Sequence, residues 1–252
     1  MKTIDLNCDL GEYYGKTSNN FDREIMPFIS SCNIACGFHS GDPLTIEKTI
    51  LSAMEFGVSI GAHPSFPDLS GFGRRVMQLS FKELRAVVRY QIAALVGVSQ
   101  ALNGSVEHVK PHGALYNYVA QNTQAAEAIV EAIVSVSHRL KLFGLPDSAL
   151  EHWANKKGIQ FIREGFVDRA YERDLSLRSR SLEGAVLHQE SQVLDQAKNL
   201  VLFRQVKPHK GPQKKLEVQS LCLHSDTPNA ASLAKSVYQI LIENGVEIRH
   251  PQ

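Results

Sequence analysis

The segment CNIACGFHSGDPLTIEKTILSAMEFGVSIGAH (Cys32–His63) contains the strand-helix-strand pattern on which the fold prediction depends. A short apolar strand is expected over Cys32–Ala35 and a helix over Pro43–Phe56, where Asp42 can cap the helix and proline suits its first turn. A second strand follows at Val58–Gly61. Strands joined through a helix run parallel in one sheet, so the segment predicts a β-α-β unit.

The same alternation continues in both directions along the chain. Further strands are expected at Thr3–Asn7, Val106–Val109, Leu140–Phe143, Ile159–Arg163 and Glu217–Leu223. Further helices are expected at Ser80–Leu102, Thr123–His138, Ser148–Lys157, Glu190–Arg204 and Thr227–Asn244. Lys207–Lys215, rich in proline, glycine and lysine, predicts an exposed loop. Seven strands are close to a closed barrel, and because no domain boundary is evident we predict one α/β domain over residues 1–252.

The composition excludes several classes of protein. With 252 residues and 43% hydrophobic content the chain can build a large core, which excludes disorder. The 27 Lys and Arg against 26 Asp and Glu leave a net charge of +1, too little to attract nucleic acid. No apolar run approaches the roughly 20 residues of a membrane span, and Asp5 and Asp9 interrupt the stretch that a signal peptide needs. We therefore expect a cytoplasmic protein that binds neither nucleic acid nor membranes.

The cysteines predict buried thiols. The chain contains four, at Cys8, Cys32, Cys36 and Cys222. Each lies next to strand-like apolar residues, and the spacing of the middle two is C-x3-C, which differs from the C-x2-C of a zinc knuckle. A role as small core residues is therefore favoured over one as ligands or nucleophiles.

Polar residues recur immediately after the predicted strands. Loops that follow parallel strands meet on one face of the sheet, so these side chains are expected to lie close together. After the first four strands in chain order, the candidates are Asn7, Asp9 and Glu12; Asn33, His39, Gly41 and Asp42; His63 and Arg75; and Lys110, His112 and Asn117. After the sixth and seventh strands, they are Glu164, Asp168, Arg169 and Tyr171, and His224 and Asp226.

One candidate set has the chemistry of a metal site. Asp9, His63 and His112 would supply a carboxylate and two imidazoles, which suit a divalent ion with open positions. Each histidine taken alone equally fits a structural, hydrogen-bonded role. Asp9 and Glu12 could instead be acids that stabilise the start of a helix.

Other features of the loops allow more than one interpretation. The turn at Gly41 and Asp42 opens a helix and can receive an anion, although such turns are often only structural. Lys110, at the end of a strand, could fix a phosphate or an oxyanion, or pair with a neighbouring carboxylate. The loop Pro64–Arg75 could close over a substrate or bridge the barrel rim. The chain contains none of the motifs GxSxG, GxxxxGK[ST] and GxGxxG, which argues against a serine hydrolase, a P-loop ATPase and a nicotinamide enzyme.

Taken together, several motifs resemble the LamB/YcsF family. They are Asn7-x-Asp9-x-Gly11-Glu12, NIACGFHSGDP, GAHPSFPDLSGFGRR, VKPHGALYN, Asp168-Arg169-Ala170-Tyr171 and Leu223-His224-Ser225-Asp226. The resemblance implies a seven-stranded, TIM-like (β/α) barrel of the glycoside hydrolase and deacetylase type. It also implies ATP-dependent opening of 5-oxoproline to L-glutamate by a 5-oxoprolinase, in which this chain is the A subunit, working with the B and C subunits. The rim loop departs from the family pattern where Leu175 replaces a glycine, so the resemblance assigns no contact to nearby Arg180.

The activity implied by the resemblance gives each candidate residue a role. Asp9 or Glu12 would be the base for water, and His39 or His112 the acid for the lactam nitrogen. Lys110 and Arg169 would neutralise phosphate or the substrate carboxylate. The asparagines would orient the ring, and the remaining candidates would contact substrate or ATP: Asn7, Asn33 and Asn117, then Gly41, Asp42, Arg75, Tyr171 and Asp226. Two alternatives stay open, a stand-alone metal-dependent deacetylase or amidohydrolase and a non-catalytic substrate-binding subunit.

Overall fold

Parallel strands form a closed barrel in the computed structural model, which describes residues 2–13, 21–225 and 229–252. The seven barrel strands are β1 (Lys2–Leu10), β2 (Ser31–Ala35), β3 (Ser59–His63), β4 (Val106–Val109), β5 (Lys141–Gly144), β6 (Phe161–Phe166) and β9 (Ser220–His224). β1 pairs with β2 on one side and with β9 on the other, which closes the barrel. The predicted α/β barrel is therefore confirmed.

Three short strands lie outside the barrel. They are β7 (Gln205–Val206), β8 (Lys214–Lys215) and β10 (Val246–Ile248). β7 and β8 form an antiparallel pair, so the segment predicted as a loop ends in a strand. β10 continues the sheet beside the first residues of β1.

Helices connect the strands and cover the barrel from outside. The α-helices of the described residues are α1 (Phe21–Ile25), α2 (Pro43–Phe56), α3 (Phe81–Ala101), α4 (Gly113–Gln121), α5 (Thr123–Val136), α6 (Ala149–Lys156), α7 (Glu190–Leu202) and α8 (Ala230–Glu243). The Asp42 carboxylate accepts from the backbone N–H groups of Leu44 and Thr45, as expected for the cap of α2. Among the described residues, none of these helices is both long and apolar enough to cross a membrane.

The interior of the barrel is polar, whereas barrels of this type are usually filled by branched apolar side chains. Asp5, Asn7 and Asp9 alternate along β1 and are all buried. Asp5 and Asn7 both bond to Ser220, and Asp9 bonds to Lys110, so residues from different strands meet in the interior. A hydrogen-bonded column of polar side chains therefore leads towards the carboxyl ends of the strands.

Two strands run three residues further than the sequence predicts. β1 reaches Leu10, beyond the expected end at Asn7, and β6 reaches Phe166, beyond Arg163. Glu164 consequently lies inside a strand, with no exposed surface, and not in the loop after it. The burial is compensated by the ammonium of Lys110, which lies 2.8 Å from the Glu164 carboxylate.

Candidate active site

A pocket of about 910 Å³ opens at the carboxyl ends of the barrel strands. Its wall includes chemically active side chains from the ends of four strands: Asp9, Glu12, His63, Lys110, His112 and His224. The loops after β4, β5 and β6 complete the wall. The distant polar groups that the sequence predicts to meet at one face of the sheet thus surround a single cavity.

Glu12 lies at the centre of three imidazoles. Its Oε1 atom is 2.9 Å from Nε2 of His39, 3.0 Å from Nδ1 of His112 and 3.7 Å from Nε2 of His63. Gly11 precedes it with φ of +70°, a left-handed conformation that suits glycine and turns the chain back towards the pocket. Although burial opposes ionisation, the charge and hydrogen bond of His112 hold the pKa of Glu12 well below its usual range.

Backbone carbonyls fix the orientation of two of these rings. Nδ1 of His63 donates to the carbonyl of Lys110 at 2.7 Å, and Nε2 of His112 donates to the carbonyl of Phe72 at 2.9 Å. In their neutral forms the rings then direct the lone pairs of His63 Nε2 and His112 Nδ1 at each other, across 3.0 Å. A proton on one of these nitrogens, or a metal ion bound by both, would remove the repulsion between the two lone pairs.

The loop Pro64–Arg75 packs against this cluster. Phe72 meets the rings of His39 and His112 edge to face, at 5.5 and 5.3 Å. A side chain at Gly73 would come within 2.9 Å of both histidines, so the backbone must approach closely here. In this structure the loop therefore bridges the rim and forms a wall of the site.

His39 completes the cluster as a neutral ring. It stacks on His112 with centroids 3.7 Å apart and planes 7° from parallel. Burial, reinforced by the neighbouring charge of His112, lowers the pKa of His39 to about 4. A neutral imidazole is the form that binds a metal.

The donor set of the cluster fits a divalent metal ion. Glu12, His39, His63 and His112 each offer one ligand atom, and all four atoms lie within 4.8 Å of one another. One carboxylate and three imidazoles are ordinary ligands for zinc and for other first-row metals. The sequence instead predicts Asp9 with His63 and His112. In the structure Asp9 lies beside this set, with its Oδ2 atom 3.3 Å from His63 Nε2.

A buried ion-pair network adjoins the cluster. Nζ of Lys110 lies 3.0 Å from Oδ1 of Asp9, 2.8 Å from Oε1 of Glu164, 3.1 Å from Oδ1 of Asn7 and 3.0 Å from Sγ of Cys222. Burial by itself would favour the neutral form of Lys110. The attraction between its ammonium and the neighbouring negative groups outweighs burial and holds the pKa of Lys110 well above its usual range. The pKa of Asp9 is correspondingly held well below its usual range, through His63 and Lys110.

A second histidine-carboxylate pair faces the pocket from β9. Nδ1 of His224 lies 3.0 Å from both carboxylate oxygens of Asp168, and Asp168 is fully buried. Asp168 also accepts from the backbone N–H of His224 at 3.1 Å, and the ring stacks on Phe166. These contacts hold the ring in one orientation. Because Nδ1 is bonded to Asp168, Nε2 is the nitrogen that can contact a molecule in the pocket.

The other predicted site residues divide into two groups. Asn117 and Arg169 line the pocket. Burial and the nearby charge of Arg180 lower the pKa of Arg169 to about 10, so its guanidinium remains charged at neutral pH. Arg180 and Leu175 also line the pocket, and Leu175 has φ of +70°, the backbone conformation that a glycine there would favour.

The remaining predicted residues lie away from the pocket wall. Asn7 and Asn33 are buried in the barrel, where Asn33 Nδ2 donates to Asn7 and Asp9 at 2.7 and 2.8 Å. Asp42 caps α2, and Gly41 allows close packing against Gly11. Arg75 and Tyr171 also lie away from the wall. Arg75 bonds to Asp68, and Tyr171 is buried, where its hydroxyl accepts from the backbone N–H of Phe166. Asp226 lies outside the described residues.

Three groups that adjoin the site have roles that the sequence does not reveal. The sequence pattern places Glu164 in a loop, whereas it is the buried partner of Lys110. Cys222, like the other cysteines, is free and buried, which confirms the prediction of core thiols, but it also contacts Lys110. His108 donates to Asn33 at 2.8 Å. The alternation along β4 is the signal that would place His108 on the same side as Lys110.

Comparison with known proteins identifies similar chains over the full length. The LamB/YcsF family model matches residues 4–252. A protein named as the A subunit of 5-oxoprolinase, from Acinetobacter baylyi, is 48% identical over 98% of this chain and 97% of its own, and one of the same name from Bacillus cereus (strain AH187) is 45% identical over 100% of both. The crystal structure of a lactam utilization protein from Thermus thermophilus superposes with a TM-score of 0.92, at 41% identity and covering 99% of each chain.

Proposed function

Because the chain belongs to the LamB/YcsF family, we propose that it is the A subunit of an ATP-dependent 5-oxoprolinase and that its pocket opens the lactam of 5-oxoproline to give L-glutamate. The observation that carries this proposal is the union, in one cavity, of the Glu12 cluster, the Asp9 and Lys110 ion pair, and the paired His224. Together they offer what amide hydrolysis needs: a base, an acid and fixed positive charge.

The lactam must be activated before water can open it. The lactam resists hydrolysis because its nitrogen donates electrons into the carbonyl. Transfer of the terminal phosphoryl group of ATP to the carbonyl oxygen removes this resistance. Water then adds to the carbon, and the carbon-nitrogen bond breaks as the nitrogen takes up a proton, which leaves an acyl phosphate. A second water hydrolyses the acyl phosphate and releases phosphate, so the reaction consumes two water molecules. The products are L-glutamate, ADP and phosphate.

The geometry favours one choice among the bases and acids that the sequence leaves open. Glu12 is committed to three imidazoles as a candidate metal ligand. We therefore assign the base to Asp9, which the charges of His63 and Lys110 keep ionised and whose Oδ2 atom has only the longer contact of 3.3 Å to His63 Nε2. Both ring nitrogens of His112 are engaged. His224, whose Nδ1 is held by Asp168, is therefore the better acid for the lactam nitrogen.

Other residues of the wall would bind the charged parts of the substrate. A divalent metal held by Glu12, His39, His63 and His112 would stabilise negative charge on the phosphoryl group that the carbonyl oxygen receives. The ammonium of Lys110 adds a fixed positive charge beside it. Arg169 and Asn117, on the same wall, would receive the substrate carboxylate.

ATP and partner chains belong to the proposal as well. The sequence has no P-loop motif, and the relatives are named as one subunit of an enzyme. We therefore infer that ATP binds with the help of the B and C subunits. Because the reaction depends on ATP, we expect it to take place in the cytoplasm.

Reconstitution with the companion subunits tests the proposal. ATP-dependent conversion of 5-oxoproline to glutamate should require every subunit of the complex and should fall by about 100-fold or more for Asp9→Asn and for His112→Ala. If each variant retains activity within a few-fold of the wild type, these assignments are wrong.

The His and Glu cluster also favours a second candidate, a metal-dependent amidohydrolase or deacetylase that acts alone. Hydrolysis of N-acetylated sugars by the isolated, metal-loaded chain without ATP would support it. Ligand binding with full complex activity after loss of both Asp9 and Glu12 would instead indicate a non-catalytic subunit.

A further inference from the structure

The ammonium of Lys110 has the surroundings of a bound metal ion. Four heteroatoms, contributed by Asp9, Glu164, Asn7 and Cys222, surround Nζ at 2.8 to 3.1 Å. Two carboxylates, an amide oxygen and a thiol are a set that would ligate a first-row metal if the lysine were absent. The lysine is 2% exposed, so this cation is as enclosed as a structural ion.

Asp9 connects this cation to the neighbouring cluster. Its Oδ1 atom is 3.0 Å from Nζ of Lys110, and its Oδ2 atom is 3.3 Å from Nε2 of His63, one of the candidate metal ligands. Asp9 thus has one oxygen on the ammonium and the other beside a candidate metal ligand. This arrangement is similar to the carboxylate bridge of a two-metal site, in which the metals lie about 4 Å apart.

Two of the residues that surround Lys110 also belong to a second set of candidate metal ligands. Asp9, Cys222 and His224 each offer one atom, and the three lie within 4.8 Å of one another. The Cys222 thiol is buried, and burial raises its pKa well above the usual value. The thiol beside the ammonium therefore keeps its proton, whereas a metal bound at this position would require the thiolate. With the lysine in place, its tetramethylene chain and charge exclude an ion from this second position.

We propose that the pocket is a two-cation centre in which the ammonium of Lys110 takes the place of the second metal ion. The chain then binds a single divalent ion, at Glu12, His39, His63 and His112, with a built-in cation on the other side of the Asp9 bridge. As part of the proposed lactam opening, on which this role rests, the ammonium stabilises the negative charge of the phosphoryl group that ATP transfers to the carbonyl oxygen. A covalently attached amine cannot leave the site as a metal ion can, so this side of the centre keeps its cation whatever the metal concentration.

Cobalt binding to the isolated chain tests the cation count without ATP, substrate or partners. At saturating Co²⁺ the wild type should bind one ion per chain and show no thiolate-to-cobalt absorption band in the near ultraviolet. Lys110→Met should bind a second ion and gain that band. Lys110→Met with Cys222→Ser should lose the band, and Lys48→Met, at an exposed position of α2, should behave as the wild type.

The outcomes separate this inference from the proposed function. A thiolate band or a second ion in the wild type would overturn the inference, as would a Lys110→Met chain that binds one ion without the band. The wild-type spectrum remains decisive if Lys110→Met does not fold. One ion in the wild type and two in the variant would support the two-cation centre, even if the reconstituted complex failed to open 5-oxoproline and the proposed function were wrong.

Discussion

Asp5 provides a quantitative test of how the polar barrel interior affects stability. Its side chain is 1% exposed and accepts from the hydroxyls of Ser30 and Ser31 at 2.7 Å each, and from Ser220. These bonds favour the ionised form, but burial outweighs them, and the negative charge of Glu164 acts in the same direction as burial. The pKa of Asp5 consequently rises from 3.8 to about 6.

The raised pKa makes the folded state less stable as the pH increases. Between about pH 4 and pH 6 the folded chain keeps a proton that the unfolded chain has released, so stability falls across this window and stays lower above it. The rise in pKa corresponds to about 3 kcal/mol at neutral pH. Asp5→Asn removes this ionisation and keeps an oxygen that can accept from the serines.

Urea unfolding at pH 4.0 and pH 7.5 measures the effect. Relative to the wild type, Asp5→Asn should be more stabilising at pH 7.5 than at pH 4.0, by about 2 kcal/mol in the free energy of unfolding. The difference is smaller than the full effect of the raised pKa because about half of the unfolded aspartates are already ionised at pH 4.0. Asp195→Asn, whose side chain is 68% exposed, should show a difference of less than about 0.5 kcal/mol. An equal effect of Asp5→Asn at both pH values, or a larger loss at pH 7.5, would refute the reasoning.

Three further predictions concern the site and its supports. His224→Gln should lower kcat of the reconstituted complex about 100-fold with little change in KM, and an unchanged kcat would exclude His224 as the acid. Gly61→Ala should lower the free energy of unfolding in urea by about 2 kcal/mol or more because a Cβ would overlap the ring of His108. Gly97→Ala, with open space around it in α3, should raise it by about 1 kcal/mol. Equal effects of the two substitutions would contradict this packing. Removal of bound metal by a chelator should lower Tm by about 5 °C, reversibly on adding the metal back, and a Tm that does not respond would argue against the metal site.

The sequence predicts those elements best whose ends carry local signals. The helix over Pro43–Phe56 is found at the predicted residues because Asp42 caps it and Gly57, with φ of +67°, ends it. The sequence does not predict α4, because its first residues, Gly113 after Pro111 and His112, have the composition of a turn. It does not predict β10 either, because those three residues become a strand only by pairing with β1.

The site is predictable where topology alone gathers the residues. Strand ends in a parallel barrel converge, which brings Asp9, His63, Lys110 and His112 together from the sequence pattern. The sequence does not show that the negative charge of Glu164 balances the buried positive charge of Lys110, because the two residues are brought together only when the barrel closes. It also does not show that Glu12 turns back onto the histidines, since that depends on the backbone at Gly11 and on the loop that packs above.

The measurement that tests the central claim most directly is the initial rate of ATP-dependent glutamate formation by the complex with Glu12→Gln in this chain. Glu12 is the one carboxylate of the four-ligand cluster, whereas Glu24, in α1, is exposed and does not line the pocket. The account predicts that Glu12→Gln reduces the rate by about 100-fold or more and abolishes stoichiometric metal binding, while Glu24→Gln changes neither. A Glu12→Gln complex that forms glutamate at the wild-type rate would contradict it.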